Sequence, residues 1–155
     1  MELKPTARLL EKRIVAADQA VAHHLALAPG TLVVRLRRVR LADGVAMSFD
    51  ETYLPRDLGE KVAENDLEAE PVFALLEDKY GTPLLEAEYK LEAAAADAVA
   101  AQALQVPAGS PIFLIERTSY TSGNRPVDYE RLHYRGDLIR FVTRLARRPR
   151  TTMQR

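Results

Sequence analysis

Apolar and polar positions alternate at two periods along this chain, and the switches between them mark out strands and short helices. Arg8 to Val15 reads as a first strand. Asp18 then offers a helix N-cap, because its carboxylate can accept orphan backbone N–H groups. The helix it starts is expected to reach about Leu27, with Val21, Ala22 and Leu25 turned inward, and to stop at Pro29-Gly30. Leu32 to Leu41 predicts a strand, Asp43-Gly44 a tight hairpin, and Ala46 to Leu54 the return strand, ended by Pro55. Arg56 to Glu70 is acidic and reads as irregular, with at most a helical turn.

Pro71 suits the first turn of a helix on which Val72, Leu75, Leu76 and Tyr80 recur at helical spacing, with Gly81 past its end. From Leu84 to Ala94, Leu85, Ala87, Tyr89 and Leu91 alternate with Glu86, Glu88, Lys90 and Glu92, the pattern of a half-buried strand. Asp97 caps a second, Ala-rich helix running to Val106, stopped by Pro107 and Gly109. Ile112 to Tyr120, a Ser122-Gly123-Asn124 turn and Val127 to Tyr134 make a second hairpin, and Ile139 to Leu145 reads as a last strand.

The order helix, Pro/Gly stop, strand, Gly hairpin, strand thus occurs twice. A shift of 79 residues superposes Ala16, Ala17, Asp18, Ala22, Leu25, Gly30, Arg38 and Gly44 on Ala95, Ala96, Asp97, Ala101, Leu104, Gly109, Arg117 and Gly123. Helix caps and turn glycines follow from shared secondary structure, but the matched arginines do not. After the hairpin a shift of 80 fits better, which requires one extra residue in the second turn. Two copies predict a pseudo-twofold α+β domain: one antiparallel sheet with helices on one face, and a groove between the halves.

Charge and composition narrow the chemistry. Lys+Arg and Asp+Glu are both 22, so the chain as a whole is a poor nucleic-acid binder. An RNA-binding role for the Arg35–Arg40 strand and the basic tail is disfavoured on the same ground. The absence of cysteine excludes a disulfide scaffold, a thiol nucleophile and Cys-ligated metals. His23 and His24 are neighbours on a helix, about 100° apart, the wrong geometry for one metal. The serines lack a His-Asp context, and no Gly-rich phosphate loop exists. Neither a cofactor nor a metal is expected. No apolar run is long enough to span a membrane, and Met-Glu-Leu-Lys-Pro is no signal peptide, so a cytoplasmic protein is expected.

Arg35, Arg37, Arg38 and Arg40 crowd one strand, with Arg38 and Arg40 on one face. Two guanidiniums beside Leu36 need anions or an open cleft, because unpaired buried charge is very unfavourable. The structural alternative is pairing with Asp50, Asp128 or Glu130. Arginine suits anion recognition because its planar fork meets a carboxylate or phosphate bidentately.

Three stretches carry a resemblance: LALAPGTLVVRLRRVRLADGVAMSFDETYLP, VFALLEDKYG and LQVPAGSPIFLIERTSYTSGNRPVDYERLHYRGDLIRF. With them the chain resembles a UTRA domain, the effector-sensing half of GntR-type transcription regulators of the HutC subfamily, over about Leu9 to Leu145. The resemblance implies a chorismate-lyase-like fold spanning residues 1–148, followed by a disordered basic tail at 149–155. It implies a small anionic effector, a homodimer, and DNA contact only through an N-terminal winged helix-turn-helix domain absent from this chain. Arg38 and Arg40 fall where relatives bind the effector's anionic group. Asp50, Asp128 and Tyr134 fall where its polar groups are held. Phe73 lines the site, and Arg117 and Glu130 are secondary candidates. Members that sense sugar phosphates tend to carry Ser and Tyr where this chain has Pro71 and Phe73, which favours an apolar or carboxylate effector. The competing enzyme reading is a chorismate-lyase-like activity on a small dicarboxylate.

Overall fold

Asp18 and Asp97 open two helices in nearly the same backbone geometry, at φ −74°, ψ 179° and φ −73°, ψ 177°. Their side chains accept from Val21 N–H and Ala100 N–H at 2.9 and 2.8 Å. The computed structural model in which they are seen describes residues 4–147. Its strands are β1 (Pro5–Ala16), β2 (Leu32–Ala42), β3 (Val45–Pro55), β4 (Glu86–Ala95), β5 (Pro111–Thr121) and β6 (Arg125–Arg135). They form one antiparallel sheet in the order β1-β2-β3-β6-β5-β4. The helices are α1 (Gln19–Leu25), α2 (Arg56–Val62), α3 (Val72–Ala74), which continues as a π-helical turn over Leu75–Lys79, and α4 (Ala98–Leu104).

The duplication is visible in this list. β2 and β5 are offset by 79 residues and β3 and β6 by 80. The difference lies in the turns. Asp43-Gly44 is a two-residue turn with φ of 48° and 77°, whereas Ser122–Asn124 is a three-residue 3₁₀ turn. The pseudo-twofold axis therefore passes between β3 and β6. Both capped helices end earlier than the sequence predicts. Ala26 and Gln105 turn left-handed at φ 54° and 58°, and Leu27 and Val106 N–H reach back to Ala22 and Ala101 carbonyls.

Helices cover both faces of the sheet, not one. On the first face Val34, Leu36 and Leu54 pack under Leu58 and Val62 of α2 and under Leu75 and Leu76. On the second, Val33, Tyr53 and Tyr129 meet α1, and Val39, Phe49 and Ile112 meet α4. The repeat alone fixes only α1 and α4. The segment between β3 and β4 has no counterpart and supplies the other layer. Within it, Arg56 to Val62 is helical rather than irregular, with Leu58, Gly59 and Val62 buried. Gly59 is required there: a Cβ would stand 2.5 Å from Val34 Cβ.

The capped helices also cross the pseudo-axis. α1, from the first half, lies on β6, and α4, from the second, lies on β3. His24 of α1 stacks on Tyr129 at 4.2 Å, and its Nδ1 is 3.1 Å from Thr118 Oγ1.

Two further expectations fail. β4 is not half-buried: Tyr89 and Leu91 are 61% and 56% exposed, as is Leu85 just before it at 63%, because no helix among the described residues covers the first face over the second half. Ile139 to Leu145 forms no strand. After the Arg135–Asp137 ion pair the chain runs irregularly, with Phe141 set edge-on against Phe113 and Tyr134. The tail at 149–155 lies outside the described residues.

Candidate functional site

Antiparallel register brings the candidate residues onto one face. Arg38 of β2 stands opposite Asp50 of β3, and Arg117 of β5 opposite Glu130 of β6. These are the two pseudo-equivalent pairs, on either side of the axis. Arg40 pairs in register with Ser48, Ser48 with Tyr134, and Asp128 with Ser119. Strand alternation places all of these side chains on the face that carries α2 and α3.

The two halves use their arginines differently. Arg117 donates to Glu130; burial works against its charge, but Glu130, Tyr89 and Asp128 together hold the guanidinium above its usual range. Arg40 Nε donates to Asp50 Oδ2 at 2.7 Å. Arg38 is 5% exposed and finds the Leu67 carbonyl at 3.3 Å, while its Nε has no partner among the described residues. Burial lowers its proton affinity in spite of the nearby Asp50 carboxylate. A buried guanidinium without a carboxylate of its own is unfavourable until an anion reaches it.

Asp128 is the acidic counterpart. It is 1% exposed, and among the described residues its Oδ1 lacks a partner, as does Asp50 Oδ1. Burial, reinforced by the Glu130 charge, pushes Asp128 well above the usual carboxylate range. A protonated carboxyl can donate a hydrogen bond as well as accept one. Burial and Asp50 likewise raise the Tyr134 hydroxyl.

Two cavities open onto this face. One, of about 370 Å³, is lined by Arg38, Arg40, Leu67, Glu68, Pro71 and Phe73. The other, of about 210 Å³, is lined by Phe73, Tyr89, Arg117, Ser119 and Asp128 among others. Phe73, itself 54% exposed, belongs to both. Pro71 occupies the N-cap of α3 and gives no side-chain hydrogen bond there. Asp50, Glu130 and Tyr134 line neither cavity. A cleft of about 340 Å³ on the opposite face, between β1 and α4, contains none of the candidates.

Sequence reasoning missed the Leu67 carbonyl, Tyr89 and Ser119. Leu67 sits in the stretch read as irregular. Tyr89 lies on a strand whose alternation predicts a buried face rather than a site. Its ring lies 5.9 Å from the Arg117 guanidinium. Ser119 is pseudo-equivalent to Arg40 at the 79-residue shift, a signal by which the sequence could have found it.

A doubled antiparallel sheet carries two arginine–carboxylate sets on one face, and the helical cover lies over the first half. The chain belongs to the UTRA domain family, whose model matches residues 1–140. It is 26% identical over 140 residues to the transcriptional repressor NagR of Bacillus subtilis, covering 90% of this chain and 57% of that protein. It is 27% identical over 139 residues to the regulator GgaR of Escherichia coli, covering 90% and 54%. The effector domain of PhnF from Mycobacterium smegmatis superposes with a TM-score of 0.85 at 26% identity, over 94% of this chain and 89% of that one. The chain spans about half the length of the curated relatives it matches. Those relatives are named HTH-type transcriptional regulators, and the fold is shared with GntR-family effector domains.

Proposed function

We propose that this domain senses a small carboxylate-bearing metabolite for a HutC-type GntR regulator. The observation that supports the reading most is the buried Arg38, whose Nε has no partner among the described residues, with Asp128 buried on the same face across the pseudo-axis. In this reading the effector's anion docks on Arg38 with help from Arg40. Its polar end meets Asp128, and Phe73 closes over the middle. Asp50 and Glu130 hold Arg40 and Arg117 in place, and Tyr134 contributes its hydroxyl beside Asp50. A ligand spanning both hairpins stabilises one relative arrangement of the halves, which can bias an attached winged helix-turn-helix domain. The domain works as a cytoplasmic homodimer, and DNA contact belongs to that other domain. Residues 1–148 form the sensing unit. The regulator reading stands ahead of a lyase because the named relatives are regulators.

Thermal-shift titration with mono- and dicarboxylates against phosphate esters tests this reading. A carboxylate that stabilises the wild type, and loses that effect in Arg38→Ala, supports it. A ligand that stabilises both proteins equally, or turnover of chorismate, overturns it.

A further inference from the structure

One row of side chains crosses the whole sheet on the α1/α4 face. The strand registers place Glu11 beside Arg37, Arg37 beside Glu51, Glu51 beside Arg131, Arg131 beside Glu116, and Glu116 beside Lys90. The signs alternate at every step. Arg37 contacts both Glu11 and Glu51, at 3.1 and 3.0 Å. The row ends on Lys90 at the free edge of β4. There its nearest acid is Glu88 of its own strand, at 3.8 Å, and both side chains are more than half exposed.

The two sheet edges differ. β1 begins at Pro5, is interrupted by a register shift between Leu9 and Glu11, and carries Arg8, Lys12 and Arg13. These are features that protect an edge from pairing. β4 runs ten residues without a proline or a register shift. Ala96 N–H donates to Ser110 O at 2.9 Å. Counting back by twos, even-numbered residues turn their backbone groups toward β5, and Ala87, Tyr89, Leu91 and Ala93 turn theirs outward.

We infer that the free edge of β4 pairs antiparallel with β4 of a second copy, Lys90 of each lying opposite Glu92 of the other. This rests on the homodimer reading above and assigns its interface. A twofold axis normal to the sheet pairs residues of like face. Placing Glu88 opposite Lys90 sets Glu86 against Glu92. Placing Glu86 opposite Lys90 sets Glu88 against Glu88. With Lys90 opposite Glu92, Glu88 meets Ala94 and no like charges face each other. On the other face Leu91 then meets its own copy at the axis and Tyr89 meets Ala93, covering side chains that are now exposed. The charge row continues through the junction. The seam also borders the second cavity, because Tyr89 lines it.

Charge reversal tests the register, because Lys90 is well exposed and Glu92 lies on the same open strand. Lys90→Glu sets two acids against each other twice per dimer, and Glu92→Lys sets two bases. Sedimentation of each variant alone should show the dimer dissociation constant raised about tenfold or more. Mixing the two should restore a heterodimer of wild-type strength, since every junction then pairs opposite charges. The chain contains no cysteine, so Leu91→Cys should oxidise to a covalent dimer while Leu10→Cys on the β1 edge should not. A wild-type dimer indifferent to both reversals overturns the interface and leaves the homodimer standing. A wild type that stays monomeric at several hundred micromolar overturns the homodimer and the interface with it.

Discussion

Arg117 donates to Glu130, whereas Arg38, its counterpart 79 residues earlier, has lost its carboxylate to Arg40. The same strand position thus closes an ion pair in one half and leaves a cation unspent in the other. In the proposed reading, that asymmetry gives the site its direction.

It also separates the two arginines experimentally. Arg117→Met leaves Glu130, 3% exposed, without its partner, and should cost about 3 kcal/mol or more. Arg38→Met removes a buried charge that has no carboxylate of its own, and should leave the ligand-free protein as stable as wild type or more so. Urea unfolding of both variants reads the difference. Equal destabilisation by both would mean that Arg38 is held as tightly as Arg117.

Ligand binding should follow the opposite order. Arg38→Ala removes a charge-assisted hydrogen bond worth roughly 1.5–3 kcal/mol, weakening a carboxylate effector by about 10- to 150-fold. Calorimetric titration measures this directly.

Asp128 makes stability depend on pH. Its folded-state value lies above the unfolded one, so the native state keeps a proton that the unfolded chain releases. Stability therefore falls as pH rises from about 4, the unfolded carboxylate value, through the raised folded value. Asp128→Asn removes that loss. Its melting temperature should match the wild type near pH 4 and exceed it by a few degrees at neutral pH, about 2–4 °C per kcal/mol for a domain of this size. A gap that is widest in acid would contradict the assignment.

Gly59 tests the cover over the first half. Gly59→Ala places a Cβ against Val34 Cβ at 2.5 Å and Val34 Cγ2 at 2.7 Å. Overpacking of this kind typically costs about 1–3 kcal/mol, and chemical denaturation should register it. Because α2 sits above Val34 and Leu54, the variant should also loosen the chain leading to Leu67, the backbone partner of Arg38.

Much of this fold could be read from the sequence because its signals are local. Asp18 and Asp97 cap where the chain provides good acceptors, Asp43-Gly44 turns where positive φ is needed, and the one-residue offset between hairpins follows from aligning the halves. Arg38 stood out because Arg117 repeats it. What escaped depends on contacts between distant segments. The alternation of β4 is that of a half-buried strand, yet burial requires a covering layer that the second half lacks. Arg56–Val62 hides a helix behind its acidic residues because only two apolar side chains and a glycine touch the sheet. Which carboxylate takes which arginine could not be read either, since Asp50 is near both Arg38 and Arg40.

The exchange of α1 and α4 across the pseudo-axis has a kinetic consequence. Each capped helix is buried on strands from both halves: Val21 and Leu25 pack with Val33, Tyr53 and Tyr129, and Ala100 and Leu104 with Phe49 and Ile112. Burial of each half's helix therefore draws on the other half, and the two repeats are expected to fold together rather than one after the other. Amide exchange of β3 and β6 should be lost in a single global opening. Cutting the chain between Gly81 and Leu85 should yield two fragments that are unfolded apart and recover structure only when mixed.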